Sequence, residues 1–436
     1  MPTPGIKERF IEQYRARFEA PVNGVVDPMA PVRKAAFEEF AATGIPAKSE
    51  GWKYTNVSRL FAPELRDAAE GADCAVTDHI PDCSGWMAVC VNGRFRPDLS
   101  RLPSESGSTV PGLTVSGLAA ALDSEPELAS KLGAYADVRD EPMVALNGVF
   151  STDGVYISVE DGVAAESPVH LVNIAERSDA VIVHARHLVL LGEYASATIV
   201  EHDIAVVGAR ALTNSVFEGH VRRGARLHHY RLQEKRGADH VDSTYVRQEQ
   251  ASQYRACVVA TGLRTVRNNV TVTVAGEDCE TVLYGISLGG MESHIDTYTL
   301  IDHAEPNCTS SELYKSVLCD RATSTFRGKL LVRRDAQKTA AFQSNRNLLL
   351  SEDAVANALP QLEIYADDVK CSHGATTGVL DQEALFYLRA RGIPRPQARR
   401  MLIGAFVDEV TAEISDDPVR KRIAEILNVF LDHAEL

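Results

Sequence analysis

The chain has 436 residues, 45% hydrophobic and 24% charged, and a net charge of −15. That length asks for two or three domains, and the composition describes a folded globular protein rather than a disordered one. The acidic balance excludes a general nucleic-acid or anionic-membrane binder, which needs a basic face, and no apolar run approaches the roughly 20 residues that span a bilayer.

The first ten residues, Met1 to Phe10, lack an apolar secretory core, so a cytoplasmic chain is expected. Cys74, Cys83, Cys90, Cys257, Cys279, Cys308, Cys319 and Cys371 form no CxxC pair and no zinc-finger spacing. Reduced thiols, most of them small buried hydrophobes, are expected.

The first eighty residues read as helices. Ile6, Phe10, Ile11, Tyr14 and Phe18 mark one helical face, with charged residues between them. A second amphipathic stretch runs from Pro31 to Thr43, and Gly44-Ile45-Pro46 ends it. Trp86 to Phe95 is an apolar run holding Asn92-Gly93, a hairpin turn signal. A short helical region is expected over Val115–Leu132, and a turn at Leu146-Asn147-Gly148.

From about Val155, helical periodicity gives way to short β-rich runs for some 220 residues. Val181–Val183, Leu188–Leu191, Ala197–Val200 and Val270–Val274 are examples, and proline is sparse, as ladder pairing requires. Turn-then-strand units begin near Tyr194, Gly224, Ala251, Glu277, Glu305 and Asp335, in steps of 30, 27, 26, 28 and 30 residues. A second series at Met291 and Asp320 falls roughly halfway between. This spacing predicts a mainly β fold, a parallel β-helix with a coil of about 26–30 residues. Cys257, Cys279, Cys308, Thr309, Thr323 and Ser324 suit its interior ladders. The alternative, a two-sheet sandwich of hairpins, lacks Asn-Gly or Asp-Gly turns after Asp161-Gly162.

The C-terminus is helical again. Ala398, Met401, Leu402, Ala405, Phe406 and Val410 mark one helix face. Asp417-Pro418 opens a second helix as N-cap and first position, with a stripe of Val419, Ile423, Ile426, Leu427 and Phe430. These helices would cap the solenoid or dock beside it. The expected domains are a helix-rich one with a small hairpin over 1–154, the β-helix over 155–376 and a helical one over 377–436.

No phosphate-binding G-x-x-x-x-G-K-[ST] loop, dinucleotide fingerprint, nucleophile elbow or H-E-x-x-H helix occurs. Gly285 to Gly290 is the nearest glycine cluster, and it lacks the lysine. A carbohydrate-active β-helix would need carboxylates such as Glu201, Asp203, Glu234 and Asp242 gathered on one face. His184 with His187, and His228 with His229, point to opposite strand faces and fit structural roles. Cys371 and His373 differ: two residues apart, they share a strand face where the solenoid ends. Thiol plus imidazole is soft-metal or sulfur-transfer chemistry, but two ligands leave a metal site incomplete. On spacing alone, a structural role is as well supported as a functional one.

Leu362 to Gly374, with its Cys371-Ser372-His373-Gly374, resembles the SufB/SufD scaffold family of the Suf iron–sulfur cluster assembly system. So do Phe386 to Ile393 and the helix that follows. The early Glu50-Gly51-Trp52-Lys53-Tyr54-Thr55 and the chain length resemble the SufD branch. The resemblance implies a right-handed parallel β-helix between helical domains, acting as a non-catalytic scaffold. It also implies a SufBCD complex: side-by-side pairing with SufB, and docking of the ABC ATPase SufC, which carries the nucleotide chemistry. A transient Fe–S cluster or iron would be shared with the partner, with none expected in the isolated chain. His373 is the stronger implied ligand facing SufB, and Cys371 a helper. Phe386, Tyr387, Arg389, Met401 and Phe406 would lie in the SufC-docking segment. A SufB-type main sulfur acceptor and a homodimer of the isolated chain are the remaining alternatives.

Overall fold

Between Ala180 and Leu349 the chain runs as strands of 9–12 residues separated by tight corners. The computed structural model describes residues 5–434 except 20–26, 28, 48, 62–64, 68–75, 104–109, 140, 177–179, 207–209, 235–236 and 263, so Cys74 lies outside the described residues. Successive strands alternate between an 11-stranded and a 10-stranded sheet, so each pairs with the strand two ahead. Every pairing among the strands from Val169 to Val379 is parallel, with steps of 26–32 residues per coil. This is the expected β-solenoid, and parallel pairing rules out the sandwich of hairpins.

The repeat seen in sequence is a repeat of corners. Gly162, Tyr194, Gly224, Ala251, Asp278, Asn307 and Lys338 all have left-handed backbone, with φ between 56° and 73°. Each donates its N–H to a carbonyl of the next coil, as Tyr194 does to Arg223 and Ala251 to Glu277, both at 2.8 Å. Met291 and Asp320, the second series, are left-handed as well, with φ of 55° and 53°. The sequence landmarks Glu277, Glu305 and Asp335 stand slightly ahead of the true corners, because only the backbone shows which turn residue bends.

Alternation sets the lumen. Ile199, Leu227, Tyr254, Leu283 and Phe326 point inward and form the apolar core. Cys279, Cys308 and Ser324 are buried as expected, but Thr309 and Thr323 face outward, since Ser310 and Ser324 beside them take the inward places. Cys257 is buried on the outer face instead, beneath the C-terminal helices.

Those helices lie beside the solenoid. Gln382–Ala390, Arg395–Thr411 and Asp417–His433 follow the last strand, and the latter two pack on the outer face of the 10-stranded sheet against Tyr230, Leu232, Ile286 and Val317. The stripe Val419, Ile423, Ile426, Leu427 and Phe430 is buried there. The N-cap is Asp416, one residue before the expected Asp417, its carboxylate accepting from Val419 N–H at 2.9 Å. In Arg395–Thr411 the buried face is Ala398, Ile403, Val407 and Val410, so Met401 and Ala405 of the expected stripe turn outward.

The N-terminal helices cover the other sheet. Ile6–Tyr14 and Ala30–Thr43 form as read, and Phe10, Phe40 and Trp52 pack against Ile182, Leu212 and Val241. The hairpin turns at Asn92-Gly93, but Trp86–Val91 also joins the solenoid by parallel pairing to Val169–Ala175. Val115–Leu132 begins as a strand, Leu113–Gly117, before its helix at Leu118–Ser124. Leu146-Asn147-Gly148 is helical, within Pro142–Phe150, rather than a turn. Burial decides this: Asn147 donates to the carbonyls of Ala185 and Asn214 at 2.8 and 2.9 Å, and Gly148 leaves no room for a Cβ beside Ala36.

Glu50 to Thr55 is a strap across that sheet. The Arg267 guanidinium lies 4.9 Å from the Trp52 ring and bonds Asp296 at 2.6 Å, while Thr55 donates to the same Asp296 at 2.5 Å. Trp52 Nε1 donates to both oxygens of half-buried Glu141 at 3.1 Å. Trp52→Ala removes a buried ring and strips Glu141 of a donor, so chemical denaturation should show a loss of about 3–5 kcal/mol.

Candidate functional site

The solenoid ends on the strand Lys370–Val379. It is the last strand of the 10-stranded sheet, paired on one side to Ala340–Leu349 and leaving its other edge open. Lys370 and the run from Ser372 to Val379 are exposed. Cys371 and His373 do share a face, the one that continues the lumen, in register with Ala341 and Gln343. Cys371 is half-buried against Val332, Ala336 and Ala366, and burial pushes its thiol above the usual range. His373 is exposed. The opposite face carries Ser372, Gly374, Thr376 and Gly378, and nothing lies near either glycine, so it is flat and open. Among the described residues, no group of three or more His, Cys, Asp or Glu side chains could hold a metal ion.

One coil behind His373 lies Gln343, and one coil further back lies Glu312, both in register and both buried. Gln343 Nε2 donates to Glu312 Oε2 at 2.5 Å. Gly328 makes room for this pair, since a Cβ there would stand 2.2 Å from the Gln343 amide. Burial pushes the Glu312 carboxyl up to about 7, with the Gln343 hydrogen bond opposing. A step of 30 residues back from His373 reaches Gln343, but the next step is 31 residues, to Glu312, so only exact register makes it available.

The other sequence candidates scatter. Glu201, Asp203 and Asp242 are sealed inside the lumen around Arg231, whose guanidinium bonds Glu201 at 2.5 Å and also Asp242. Glu234 lies on the outer face, bonded to Arg422 at 2.8 Å. No sugar reaches such a set, so the carbohydrate reading fails on geometry. His229 bonds Glu201 at 2.5 Å, His187 accepts from Val155 N–H at 3.1 Å, and His184 stacks on Phe150. His228 meets Ser415 at 3.3 Å. All four serve packing.

On the C-terminal helices, Phe386 is 70% and Tyr387 56% exposed, and Arg389 and Met401 are also exposed. Phe406 is different: it packs toward the sheet with the Lys315 ammonium 4.6 Å from its ring. No helix of the described residues is long and apolar enough to cross a membrane.

The family model described as SUF system FeS cluster assembly, SufBD core domain, matches residues 173–406, and that of the SufBD N-terminal region matches 5–171. The chain belongs to the SufBD family. Its similarity to the iron–sulfur cluster assembly protein SufD of Escherichia coli is 29% identity, over 90% of this chain and 91% of that one. A Synechocystis iron–sulfur cluster assembly SufBD family protein is 30% identical over 94% and 93%. The chloroplastic protein ABCI7 of Arabidopsis thaliana is 30% identical over 90% and 84%. The SufBD core match contains the whole solenoid from Asn173, Cys371 and His373 included, and runs into the helix Arg395–Thr411.

In this SufBD chain, Glu312 gives the end of the lumen a pH signature. Its folded pKa stands above its unfolded value, so its stabilising share is complete below about 4.5 and lost as pH rises through about 7. Glu312→Gln should flatten that loss, worth on the order of 2–3 kcal/mol. Urea midpoints at pH 5.5 and 8 for both proteins check this, and equal pH slopes would disprove it.

Proposed function

We propose that this SufBD chain is a SufD-type, non-catalytic scaffold subunit that builds iron–sulfur clusters at an interface with a SufB-type partner. One observation carries the reading: the terminal strand has an open edge and displays a thiol and an imidazole that no third ligand among the described residues joins. A flat, unpaired parallel edge is a pairing surface, and a second solenoid laid along it would supply the missing ligands. The cluster is the cargo. His373 offers an imidazole to iron, and Cys371 a thiolate once its burial-raised proton is displaced.

The C-terminal helices are the proposed seat of a SufC-type ATPase. Phe386, Tyr387 and Met401 are apolar anchors without cover, and Arg389, Arg391 and Arg395 give the same segment positive charge in an otherwise acidic chain. A chain of ion pairs runs from these helices to the strand beside the candidate site. Glu409 bonds Lys315 at 2.5 Å and Arg346 at 2.8 Å, and Arg346 belongs to Ala340–Leu349, the strand paired with Lys370–Val379. Motion of the ATPase would reach the shared interface through this link. Hydrolysis itself belongs to the ATPase, consistent with the missing phosphate loop.

The decisive experiment is co-expression with SufB-type and SufC-type partners, followed by anaerobic absorbance spectroscopy. His373→Ala should leave the complex assembled and abolish its cluster absorbance, with Cys371→Ala giving a smaller loss. A normal cluster band from His373→Ala would remove it from the site. The double variant Phe386→Asp with Tyr387→Asp should weaken ATPase binding about tenfold or more in calorimetry, with circular dichroism unchanged.

A further inference from the structure

From the Tyr194 corner to the Lys338 corner, a small residue stands inside, directly after the left-handed one. Coil by coil these are Ala195, Ala225, Ser252, Cys279, Cys308 and Thr339, and all are buried. The place accepts a methyl, a hydroxyl or a thiol, so packing does not require sulfur there. Yet two consecutive coils both supply it. The strands that follow are in register, Glu280 against Thr309, which brings the two cysteines to adjacent rungs. Adjacent rungs lie about 4.7–4.9 Å apart, within the Cα separations that a disulfide spans.

Both thiols turn the same way. Cys279 Sγ and Cys308 Sγ share one acceptor, the Gly276 carbonyl oxygen, at 3.2 and 3.3 Å, and each also reaches a carbonyl of its own, Glu249 at 3.0 Å and Pro306 at 3.2 Å. The two thiols also act on each other, and Ser252 Oγ lies 3.6 Å from the Cys279 sulfur. The Cys308 donor is the largest cause holding the Cys279 thiol below its usual range, against the effect of burial, while Cys308 is pushed up. Neither thiol is deep in the molecule: Glu277, Asp278 and Asn307, which precede them at the corner, are exposed.

We infer that Cys279 and Cys308 form a redox-sensitive dithiol, closed to a disulfide across two coils by a small two-electron oxidant such as hydrogen peroxide. The Cys279 thiolate attacks one peroxide oxygen, the O–O bond breaks, and a sulfenic acid and hydroxide result. The Cys308 sulfur then attacks the Cys279 sulfur, the S–O bond breaks, and the S–S bond forms. The two thiol protons end in the two water molecules released, and the two thiols supply the two electrons. The inference is independent of Cys371 and His373.

The full chain carries its own control. Trypsin releases Asn268–Lys315 as one peptide holding both thiols and no other cysteine, since no Lys or Arg stands between Arg267 and Lys315. The same peptide holds Met291, which is 80% exposed and gains an oxygen once the oxidant dose suffices. The folded protein would be treated with peroxide, quenched with catalase, denatured in iodoacetamide and digested without reductant. Most peptide copies should then be two hydrogens lighter and unalkylated, and dithiothreitol should restore both labels. Two alkylated cysteines in peptides whose Met291 has gained oxygen would overturn the inference. Cys279→Ser, which places at this rung the hydroxyl already found at Ser252, should leave Cys308 fully alkylated after the same treatment; protection of Cys308 in that variant would overturn the pairing as well.

Discussion

In-register stacking of one coil on the next is the constraint on which the rest of this molecule depends. Each strand finds its hydrogen bonds in the coils before and after it, and each corner passes an N–H to the next corner's carbonyl. The corners at Tyr194, Ala251, Asp278, Asn307 and Lys338 hold left-handed backbone without glycine. That conformation costs roughly 1–2 kcal/mol per residue, and it persists because the ladder and the packed lumen fix the bend. Stacking of this kind satisfies every coil except the last. The open edge of Lys370–Val379 is therefore a consequence of the architecture itself.

The two sheets need cover on their outer faces, and the chain supplies it from both ends. N-terminal helices and the Glu50–Thr55 strap close one sheet, and the C-terminal helices close the other. The strap works by charge as much as by apolar contact, since Arg267 stands between the Trp52 ring and the Asp296 carboxylate. On the opposite side, Glu409 ties a helix to two strands at once. Both covers stop short of the final strand, so what remains exposed is the end of the solenoid and the tip of the helical hairpin around Phe386.

Polar groups within the lumen are of two kinds. Around Arg231, burial raises Glu201 but the guanidinium and His229 outweigh it, so the carboxyl is held well below its usual range. Such a set is closed by its own partners and supports the fold. Near the open end, Glu312 has no cation against its burial, just the Gln343 amide and the Thr299 hydroxyl, and titrates close to neutrality. The same ladder geometry thus produces a locked charge in the middle and a labile one toward the candidate site. Register, rather than residue type, separates the two.

The sequence by itself determined the solenoid, its coil length and the helical character of both ends. Corner residues recur at the coil spacing because each corner must repeat the last, and side-chain alternation put Cys371 and His373 on one face. It misjudged Leu146-Asn147-Gly148, where local turn preference gave way to buried hydrogen bonds from Asn147. It also placed Thr309, Thr323 and Cys257 in the lumen, because period alone does not fix which alternating face points inward. Only the tertiary structure decided that Glu201, Asp203 and Asp242 are sealed around Arg231, and that Glu312 and Gln343 stand behind His373. Only it brought Cys279 and Cys308 to one carbonyl. Those contacts join residues a coil apart, and a coil's length in sequence becomes a neighbour only when register is exact.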